Sequence, residues 1–419
     1  MRRVALLSVH TSPLDQPGTG DGGGLNVSVL EVARRLAARG VAVDVFTRAT
    51  DPARPPSVTV APGLVVHHVV AGPVAPLPKE QVASHLCAFA LALQRHPTAG
   101  TADVVHAHYW LSGWVGRRVA ERWRVPFVQT FHTFGMLKNA TLAPGDLPES
   151  PLRLVAEQRI AAAADRVLAL TCGEARLLHR RFGLSGARIS VVPAGVDLDR
   201  FHPAAEPDDA AVVARLVPGV DGPLLLFVGR LQPLKGPDVA IRTLAEVRAT
   251  GVADARLLVV GGTSGSGAGR SGPDELRTLA EELGVGDAVA IADAQPQAVL
   301  AALYRAAAVV LVPSRTETFG LVALEAQACG TPVVASRVGG LEAVVGDGGT
   351  LVPGHDPAAH AEAVLRYLRD PGVRSEASAA GVRHAVLSSW DHTVERLLAV
   401  YGDVRRGSTP GEHFTDVAS

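Results

Sequence analysis

Cysteine is scarce in this sequence, and its spacing suggests no pairing. Cys87, Cys172 and Cys329 lie far apart, with no CxxC pair among them. This pattern argues against a disulfide framework or a zinc site. It predicts three small, buried, apolar side chains in a protein of a reducing compartment.

Long apolar runs are also missing. No run reaches the ~18–20 residues that a membrane span needs, and residues 4–9 are too short for the hydrophobic part of a signal peptide. A net charge of −1 gives no electrostatic reason to bind nucleic acid or an anionic membrane. We therefore expect a cytoplasmic protein without a nucleic-acid or membrane partner.

Lysine is the third scarcity. Of the 40 basic residues only Lys79, Lys138 and Lys235 are lysines, and the rest are arginines. In so arginine-rich a chain, a lysine is more than usually expected to be present for its chemistry. Survival of three lysines by chance remains the alternative.

The length and pattern predict two α/β domains. A chain of 419 residues exceeds the ~250–300 residues that one core supports. Short β-branched runs alternate with amphipathic helices, which indicates doubly wound parallel sheets covered on both faces. We predict one domain over residues 1–196, a second over 197–386, a helix over 387–405 that packs back towards the first domain, and a polar tail over 406–419. Strands are predicted at residues 4–9, 42–47, 65–70, 104–107, 126–130, 167–171, 189–192, 224–228, 257–260, 289–291, 309–312 and 333–335.

A glycine-rich loop follows the first predicted strand. Gly18, Gly20 and Gly23 match the dinucleotide-binding spacing, with Asp44 about 20 residues further on. That fingerprint should begin directly after the strand, yet eight residues separate Val9 from Gly18. A backbone cradle that closes on a ligand at the start of the next helix is the better interpretation. An NAD-dependent oxidoreductase stays the remote alternative.

Polar side chains follow several strands of the first half, where ligands of such sheets bind. Lys79, Tyr109, Thr133 and Arg153 supply two cations and two hydroxyls, which suits a phosphate monoester. No carboxylate–histidine spacing in this half makes a credible metal shell.

Two segments of the second half indicate a diphosphate site. In GRLQPLKG, Arg230 and Lys235 are five residues apart across a turn and can clasp a diphosphate. In PSRTETFGLVALE, a strand leads into a helix whose first N–H groups favour an anion. Glu317 and Glu325 add carboxylates that can bind sugar hydroxyls, so a sugar nucleotide fits this half.

These motifs resemble the retaining GT-B glycosyltransferases, whose E-x7-E motif matches the Glu317–Glu325 spacing. HTSPLDQPGTGDGGGLNV, HAHYWLSGWVG, KNA and PESPLR resemble, more narrowly, the D-inositol-3-phosphate glycosyltransferase family. The resemblance implies a GT-B fold and transfer of N-acetylglucosamine from UDP-GlcNAc to inositol phosphate, the first step of mycothiol biosynthesis. No side chain is an evident nucleophile, so we expect a front-face mechanism in which the leaving phosphate deprotonates the acceptor.

The resemblance also implies roles for individual residues. The catalytic residues would be Arg230, Lys235, Glu317 and His132. The donor would contact Gln16, Pro17, Gly24, Asn26, Arg230, Lys235, Gln295, Glu317, Phe319, Gly320, Leu321, Val322 and Glu325. The acceptor would contact His10, Lys79, Tyr109, Thr133 and Arg153. No cofactor is required for the chemistry. A structural Mg²⁺ near Tyr304, Arg305, Ala307 and Thr331, and a homodimer, are further implications.

The sequence departs from the family pattern on the acceptor side, at Ser28, Gln129, Phe131 and Phe134. A paralogue with another acceptor, such as a different sugar phosphate, is therefore an alternative, although all four residues of the phosphate pocket are present. A pyridoxal-phosphate GT-B phosphorylase and a non-catalytic nucleotide-binding module are further alternatives.

Overall fold

The structure is a computed structural model that describes residues 1–142, 147–217, 219, 222–263 and 272–407. The glycine- and serine-rich segment over residues 261–272 and the predicted polar tail over 406–419 lie largely outside these ranges.

The first half forms an eight-stranded sheet in the order β3-β4-β2-β1-β5-β6-β7-β8. Its strands are β1 Arg3–Leu7, β2 Ala42–Arg48, β3 Ser57–Ala61, β4 Leu64–Val69, β5 Val104–His108, β6 Phe127–Thr130, β7 Arg166–Ala169 and β8 Ile189–Val191. All neighbours are parallel except β3 and β4. The sequence prediction missed β3, because this edge strand is largely exposed and has no continuous apolar run.

The second half forms a six-stranded parallel sheet in the order β11-β10-β9-β12-β13-β14. Its strands are β9 Leu224–Val228, β10 Arg256–Val260, β11 Val289–Ala292, β12 Val309–Val312, β13 Val333–Ser336 and β14 Gly349–Val352. The short edge strand β14 was missed, since it begins with glycine and has only one fully buried residue.

Helices cover both faces of the sheets. They are α1 Gly24–Ala38, α2 Lys79–Val82, α3 Leu86–Gln94, α4 Tyr109–Trp123, α5 Gly135–Ala140, α6 Pro151–Ala163, α7 Cys172–Phe182, α8 Asp209–Leu216, α9 Pro237–Ala249, α10 Pro273–Glu282, α11 Gln297–Ala306, α12 Leu321–Ala328, α13 Leu341–Val345, α14 Pro357–Arg369, α15 Pro371–Val386 and α16 Trp390–Arg406. A 3₁₀ turn at Ala83–His85 separates α2 from α3. Helix α8 lies in the proline-containing segment between the two sheets.

Helix α16 returns from the second half and packs on α1 of the first. Ion pairs join the two helices: Arg39 Nη2 lies 2.7 Å from a carboxylate oxygen of Asp391, and Arg35 Nε lies 3.4 Å from the other. At the crossing, the Val196 N–H donates to the Ser388 carbonyl and the Trp390 N–H to the Val196 carbonyl. Packing and ion pairs therefore hold α16 against α1.

The structure corrects the prediction that all three cysteines are buried. All are free thiols, but only Cys329 is buried, whereas Cys87 and Cys172 are exposed. Cys87 lies near the start of α3 and Cys172 is the first residue of α7. Within the described residues, no helix is both long enough and apolar enough to cross a bilayer.

Candidate active site

A cavity of about 330 Å³ lies where the carboxyl ends of the two sheets face each other. Both halves of the chain line it. The predicted site residues in its wall are His10, Pro17, Gly24, Lys79, Tyr109, His132, Thr133, Arg153, Arg230, Lys235, Gln295, Glu317, Phe319, Gly320, Leu321, Val322 and Glu325. Residues far apart in sequence thus form one site. Tyr109 and Arg230 directly follow strands, whereas Arg153 and Glu325 reach the cavity from helices.

The diphosphate clasp is built on the loop after β9. Arg230 follows this strand by two residues, and Lys235 ends the 3₁₀ turn Pro233–Lys235. Lys235 Nζ donates to Glu317 Oε2 at 2.6 Å. Enclosure lowers the pKa of the Arg230 guanidinium, while the nearby carboxylates of Asp21 and Glu317 oppose that shift. The side chains of Arg230 and Lys235 both line the cavity and so face the same space.

The N-terminus of α12 forms the opposite wall of the donor side. Gly320 precedes the helix with a left-handed φ of 108°, and Phe319 to Val322 line the cavity. Backbone N–H groups of this turn and the helix dipole favour an anion. Further into the helix, Glu325 accepts a hydrogen bond from the Tyr304 hydroxyl at 3.0 Å. Burial raises the pKa of Glu325 to about 7, against the lowering effect of that hydrogen bond.

Arg153 organises the acceptor side. Its guanidinium is buried and stacks on the ring of Tyr109 at 4.9 Å. One nitrogen, Nη2, donates to both Oγ1 and the carbonyl of Thr133, at 2.8 and 3.1 Å. Nε donates to Glu157 at 2.7 Å, and Nη1 lies 2.9 Å from Glu149. Arg153 thus fixes the positions of Tyr109 and Thr133 at the cavity wall.

Uncharged histidines line the cavity between the two sides. Burial lowers the pKa of His132 to about 3. Burial also lowers the pKa of His10 to about 4; Asp21 opposes the shift and neighbouring cations, Lys79 first, reinforce it. Nε2 of His132 lies 2.9 Å from Nδ1 of His108 behind it. These imidazoles can donate or accept hydrogen bonds at neutral pH without adding positive charge.

Backbone strain is concentrated at this site. Among the described residues, three that are not glycine have a positive φ, and two of them, Tyr109 at 74° and His132 at 62°, line the cavity. Such conformations cost about 1–3 kcal/mol each and persist only where the surroundings enforce them. Buried Gln129 helps to do so, since its amide donates to the Tyr109 carbonyl at 3.3 Å. The strain marks Tyr109 and His132 as functional positions.

The four departures from the family pattern divide into two groups. Ser28 and Phe134 line the cavity. Gln129 and Phe131 do not line it and are fully buried, with the Phe131 ring packed on Phe134 at 5.0 Å. Only the first two can therefore contact an acceptor directly.

The glycine-rich loop joins the two halves instead of beginning a helix directly after β1. The Gly262 N–H donates to the Gly18 carbonyl at 3.0 Å, and Gln16 Nε2 donates to the Gln295 carbonyl at 2.9 Å. Gln16 does not itself line the cavity. Asn26 is fully buried, and its amide donates to Thr11 Oγ1 and the Ser12 carbonyl, so it supports the loop from behind. Neither side chain is part of the cavity wall, and their predicted donor contacts stay predictions.

Two charged residues of the wall were not among the predicted site residues. Asp21 acts electrostatically on both His10 and Arg230 from within the glycine-rich loop. Lys138 lines the acceptor side and pairs with Glu149. The scarcity of lysine and the KNA segment were the sequence signals for Lys138. Asp21 lies in a segment that carries the family resemblance, but a single carboxylate in a glycine loop resembles an ordinary turn residue, so no role was predicted for it.

The four residues implied in magnesium binding lie away from this cavity. The Tyr304 carbonyl already accepts hydrogen bonds from Thr331 Oγ1 and the Ala307 N–H. The Arg305 guanidinium makes a bidentate pair with Asp209, at 2.7 and 2.6 Å. Mg²⁺ prefers free oxygen ligands, including carboxylates, in octahedral geometry, so this arrangement suits it poorly. No cluster of three His, Cys, Asp or Glu side chains suited to a metal occurs in the part of the chain that the structure describes. The magnesium site stays a prediction, and no step below depends on it.

Comparison with known proteins shows which family the chain resembles in sequence and in structure. Residues 22–200 match the profile described as Glycosyltransferase Family 4, and residues 213–384 match Glycosyl transferases group 1. Among solved structures, a sucrose-phosphate synthase from Thermosynechococcus elongatus superposes with a TM-score of 0.87 at 33% identity, covering 97% of this chain and 100% of that one. Two facing Rossmann-like α/β domains of this kind form the GT-B fold.

Closely related sequences narrow the assignment. The D-inositol 3-phosphate glycosyltransferase of Acidothermus cellulolyticus is 53% identical, over 96% of this chain and 90% of its own. The enzyme of that name from Thermomonospora curvata is 51% identical, over 95% of each chain. With this identity over nearly its whole length, the chain belongs to the D-inositol 3-phosphate glycosyltransferase family of GT-B glycosyltransferases.

Proposed function

We propose that this enzyme transfers N-acetylglucosamine from UDP-GlcNAc to 1D-myo-inositol 3-phosphate with retention at the anomeric carbon. The observation that carries the proposal is the pairing of two cationic groups across one cavity. Arg230 and Lys235 stand on the side suited to a diphosphate, and Lys79 and Arg153 on the side suited to a phosphate monoester. A sugar nucleotide and a phosphorylated acceptor meet both groups at once. This reaction is the first step of mycothiol biosynthesis.

The residues support a front-face substitution. The bond between the anomeric carbon and the UDP oxygen breaks, the acceptor hydroxyl oxygen bonds to the same face of that carbon, and its proton passes to the leaving phosphate. Arg230, Lys235 and the N-terminus of α12 stabilise the negative charge that develops on UDP. Glu317, held by Lys235 at 2.6 Å, is placed to orient donor hydroxyls.

His132 contributes a neutral imidazole. Because burial keeps its pKa near 3, it can hydrogen-bond to the donor sugar at neutral pH without repelling the developing positive charge at the anomeric carbon. His10 is also uncharged, and it can hydrogen-bond to the acceptor without adding positive charge. Domain closure would exclude water and so limit hydrolysis of the donor.

An acceptor screen tests the proposal. The protein is incubated with UDP-GlcNAc and, separately, with inositol 3-phosphate, inositol 1-phosphate, free inositol and fructose 6-phosphate, and UDP release and the product are measured. We expect efficient turnover with inositol 3-phosphate and at least a hundredfold less with free inositol. Turnover with another acceptor alone would replace this proposal by the paralogue alternative. A cytoplasmic location and a homodimer stay predictions from the sequence.

A further inference from the structure

All three lysines of the chain line the same cavity. Lys79, Lys138 and Lys235 lie far apart in sequence, in a chain where 37 of the 40 basic residues are arginines. Lys235 belongs to the diphosphate clasp and Lys79 to the acceptor pocket. Lys138, on the short helix α5, has no assigned role. Its shared location indicates that it too acts on a ligand.

Arg153, although predicted to bind the acceptor phosphate, has little left to donate. Its side chain is only 1% exposed. Nε donates to Glu157, Nη2 donates to both acceptors of Thr133, and Nη1 lies 2.9 Å from a Glu149 oxygen. Each of its three nitrogens therefore already has a protein partner. A phosphate monoester has three strong acceptor oxygens, so most of its hydrogen bonds must come from other groups.

Lys138 is able to supply them. Its Nζ pairs with Glu149, and its side chain is 26% exposed at the cavity wall. An ammonium group has three donors, so two remain after the bond to Glu149. Burial and the charge of nearby Lys79 lower the pKa of Lys138, and Glu149 opposes that shift. Lys79 and Lys138 both line the cavity and act on each other electrostatically, so the two ammonium groups face the same space.

Glu149 holds this arrangement in place. It contacts both Lys138 and Arg153. Burial would raise the pKa of Glu149, but these two cations lower it to about 2, so it is ionised at neutral pH. The backbone N–H of Glu149 donates to Asn139 Oδ1 at 2.7 Å, which ties residue 149 to α5. The Glu149 carboxylate thereby links Lys138 to Arg153.

We propose that Lys138 binds the acceptor phosphate directly, together with Lys79, and that Glu149 is the positioning residue for Lys138 and Arg153. This inference rests on the proposed function, since it assigns a residue to the acceptor of that reaction. The charge balance supports it: Lys79, Lys138 and Arg153 carry three positive charges against two carboxylates, Glu149 and Glu157. Without Lys138 the cluster has no net positive charge to attract a dianion.

Steady-state kinetics of matched variants test the assignment. Lys138→Met removes the charge and keeps the apolar stem. The double variant Lys138→Met/Glu149→Gln removes the pair and leaves no unpaired buried carboxylate. Arg117→Met is the control, because Arg117 is an exposed cation of α4 outside the cavity wall. Circular dichroism and thermal melting establish that each variant is folded.

We expect the KM for inositol 3-phosphate to rise at least tenfold in both Lys138 variants, with the KM for UDP-GlcNAc within twofold of wild type. Lys138→Arg should recover part of the loss, and Arg117→Met should change neither constant. An acceptor KM within twofold of wild type in the folded double variant would overturn the assignment. So would equal increases in both KM values, which indicate a general disturbance of the cleft.

Wild-type behaviour separates this inference from the proposed function. If the wild type uses a different phosphorylated acceptor, the proposed function fails and the same comparison is made with that acceptor. If the wild type uses only unphosphorylated acceptors, the proposed function and the assignment of Lys138 both fail. The wild-type measurement alone then decides, and no variant is needed.

Discussion

The hydroxyl of Tyr401, on the last helix, lies 2.6 Å from Nδ1 of His106, on strand β5 of the first sheet. The centroid of the His106 ring lies 4.1 Å from that of His108, with the two rings tilted by 38°, and His108 hydrogen-bonds to His132 in the cavity wall. Nε2 of His106 lies 2.8 Å from Thr130 Oγ1, so both of its ring nitrogens are engaged. A buried line of contacts therefore leads from the returning helix α16 to the active site.

Replacing Tyr401 with Phe should weaken both stability and catalysis. The change leaves Nδ1 of buried His106 without a partner, which costs about 1–3 kcal/mol. We expect a free energy of unfolding lower by about that amount, measured in urea, and a kcat several-fold lower with little change in either KM. Tyr367→Phe is the matched control, because the Tyr367 hydroxyl bonds to Thr350 far from the cavity. A kcat for Tyr401→Phe equal to that of the control would disprove the link to His132.

Removing either cation of the diphosphate clasp should abolish most of the activity. Arg230→Ala and Lys235→Ala each remove charge stabilisation of the UDP leaving group, an effect of about 10²–10³ in kcat for one such donor. Turnover of UDP-GlcNAc at saturating acceptor measures it. Arg315→Ala is the control, since Arg315 is on the same loop as Glu317 but is absent from the cavity wall. A loss below tenfold in the clasp variants would contradict the assigned role.

Two glycines with the same backbone conformation should respond differently to alanine. Gly236, after Lys235, has a φ of 71°, and an added Cβ would lie 2.4 Å from the Pro313 carbonyl oxygen. Gly183, at the end of α7, has a φ of 68° with nothing within 4 Å of such a Cβ. Gly183→Ala should therefore cost about 1 kcal/mol of unfolding free energy. Gly236→Ala should lower the free energy of unfolding by at least about twice as much. Equal losses for the two variants in chemical denaturation would show that the loop moves to accommodate the added Cβ.

Buried Glu174 should make stability depend on pH. Its carboxylate accepts a hydrogen bond from the Leu170 N–H, but burial raises its pKa from 4.5 to about 8. The folded protein holds this proton more tightly than the unfolded chain, so the contribution is fully present below pH 4.5. It is lost as pH rises to about 8, by at most about 1.4 kcal/mol per pH unit.

Glu174→Gln provides the measurement, because an amide does not ionise. The difference in unfolding free energy between the variant and the wild type should grow in favour of the variant from pH 5 to pH 8. All other titrating groups are common to both proteins and cancel. A difference that stays constant over this range would mean that Glu174 ionises normally in the folded state.

Removal of divalent cations should leave turnover within twofold. In the proposed mechanism, Arg230, Lys235 and the N-terminus of α12 already supply the charge stabilisation that a metal would otherwise give. Turnover before and after dialysis against EDTA is the measurement. Loss of activity that Mg²⁺ restores would require a metal in the reaction, whereas a lower melting temperature alone would support the structural ion implied by the family resemblance.

The sequence alone determined the fold class and a large part of the cavity wall. Continuous apolar runs predicted the buried strands. The polar residues directly after these runs predicted the site, since the carboxyl ends of parallel strands lie at a common edge of the sheet. This rule needs only a recognisable strand and the residues that follow it. It therefore correctly placed Arg230, after β9, and Tyr109, after β5, in the cavity wall. It failed for the exposed edge strand β3, where no buried run exists to be recognised.

Only the tertiary structure decided which side chains meet and which are free to bind. Spacing could not show that all three nitrogens of Arg153 have protein partners, nor that Glu149 connects it to Lys138. It could not bring Tyr401 to His106 across 295 residues. Such contacts depend on how separate elements pack, which local periodicity does not encode. The sequence marked the three lysines as unusual, and the fold placed them in one cavity.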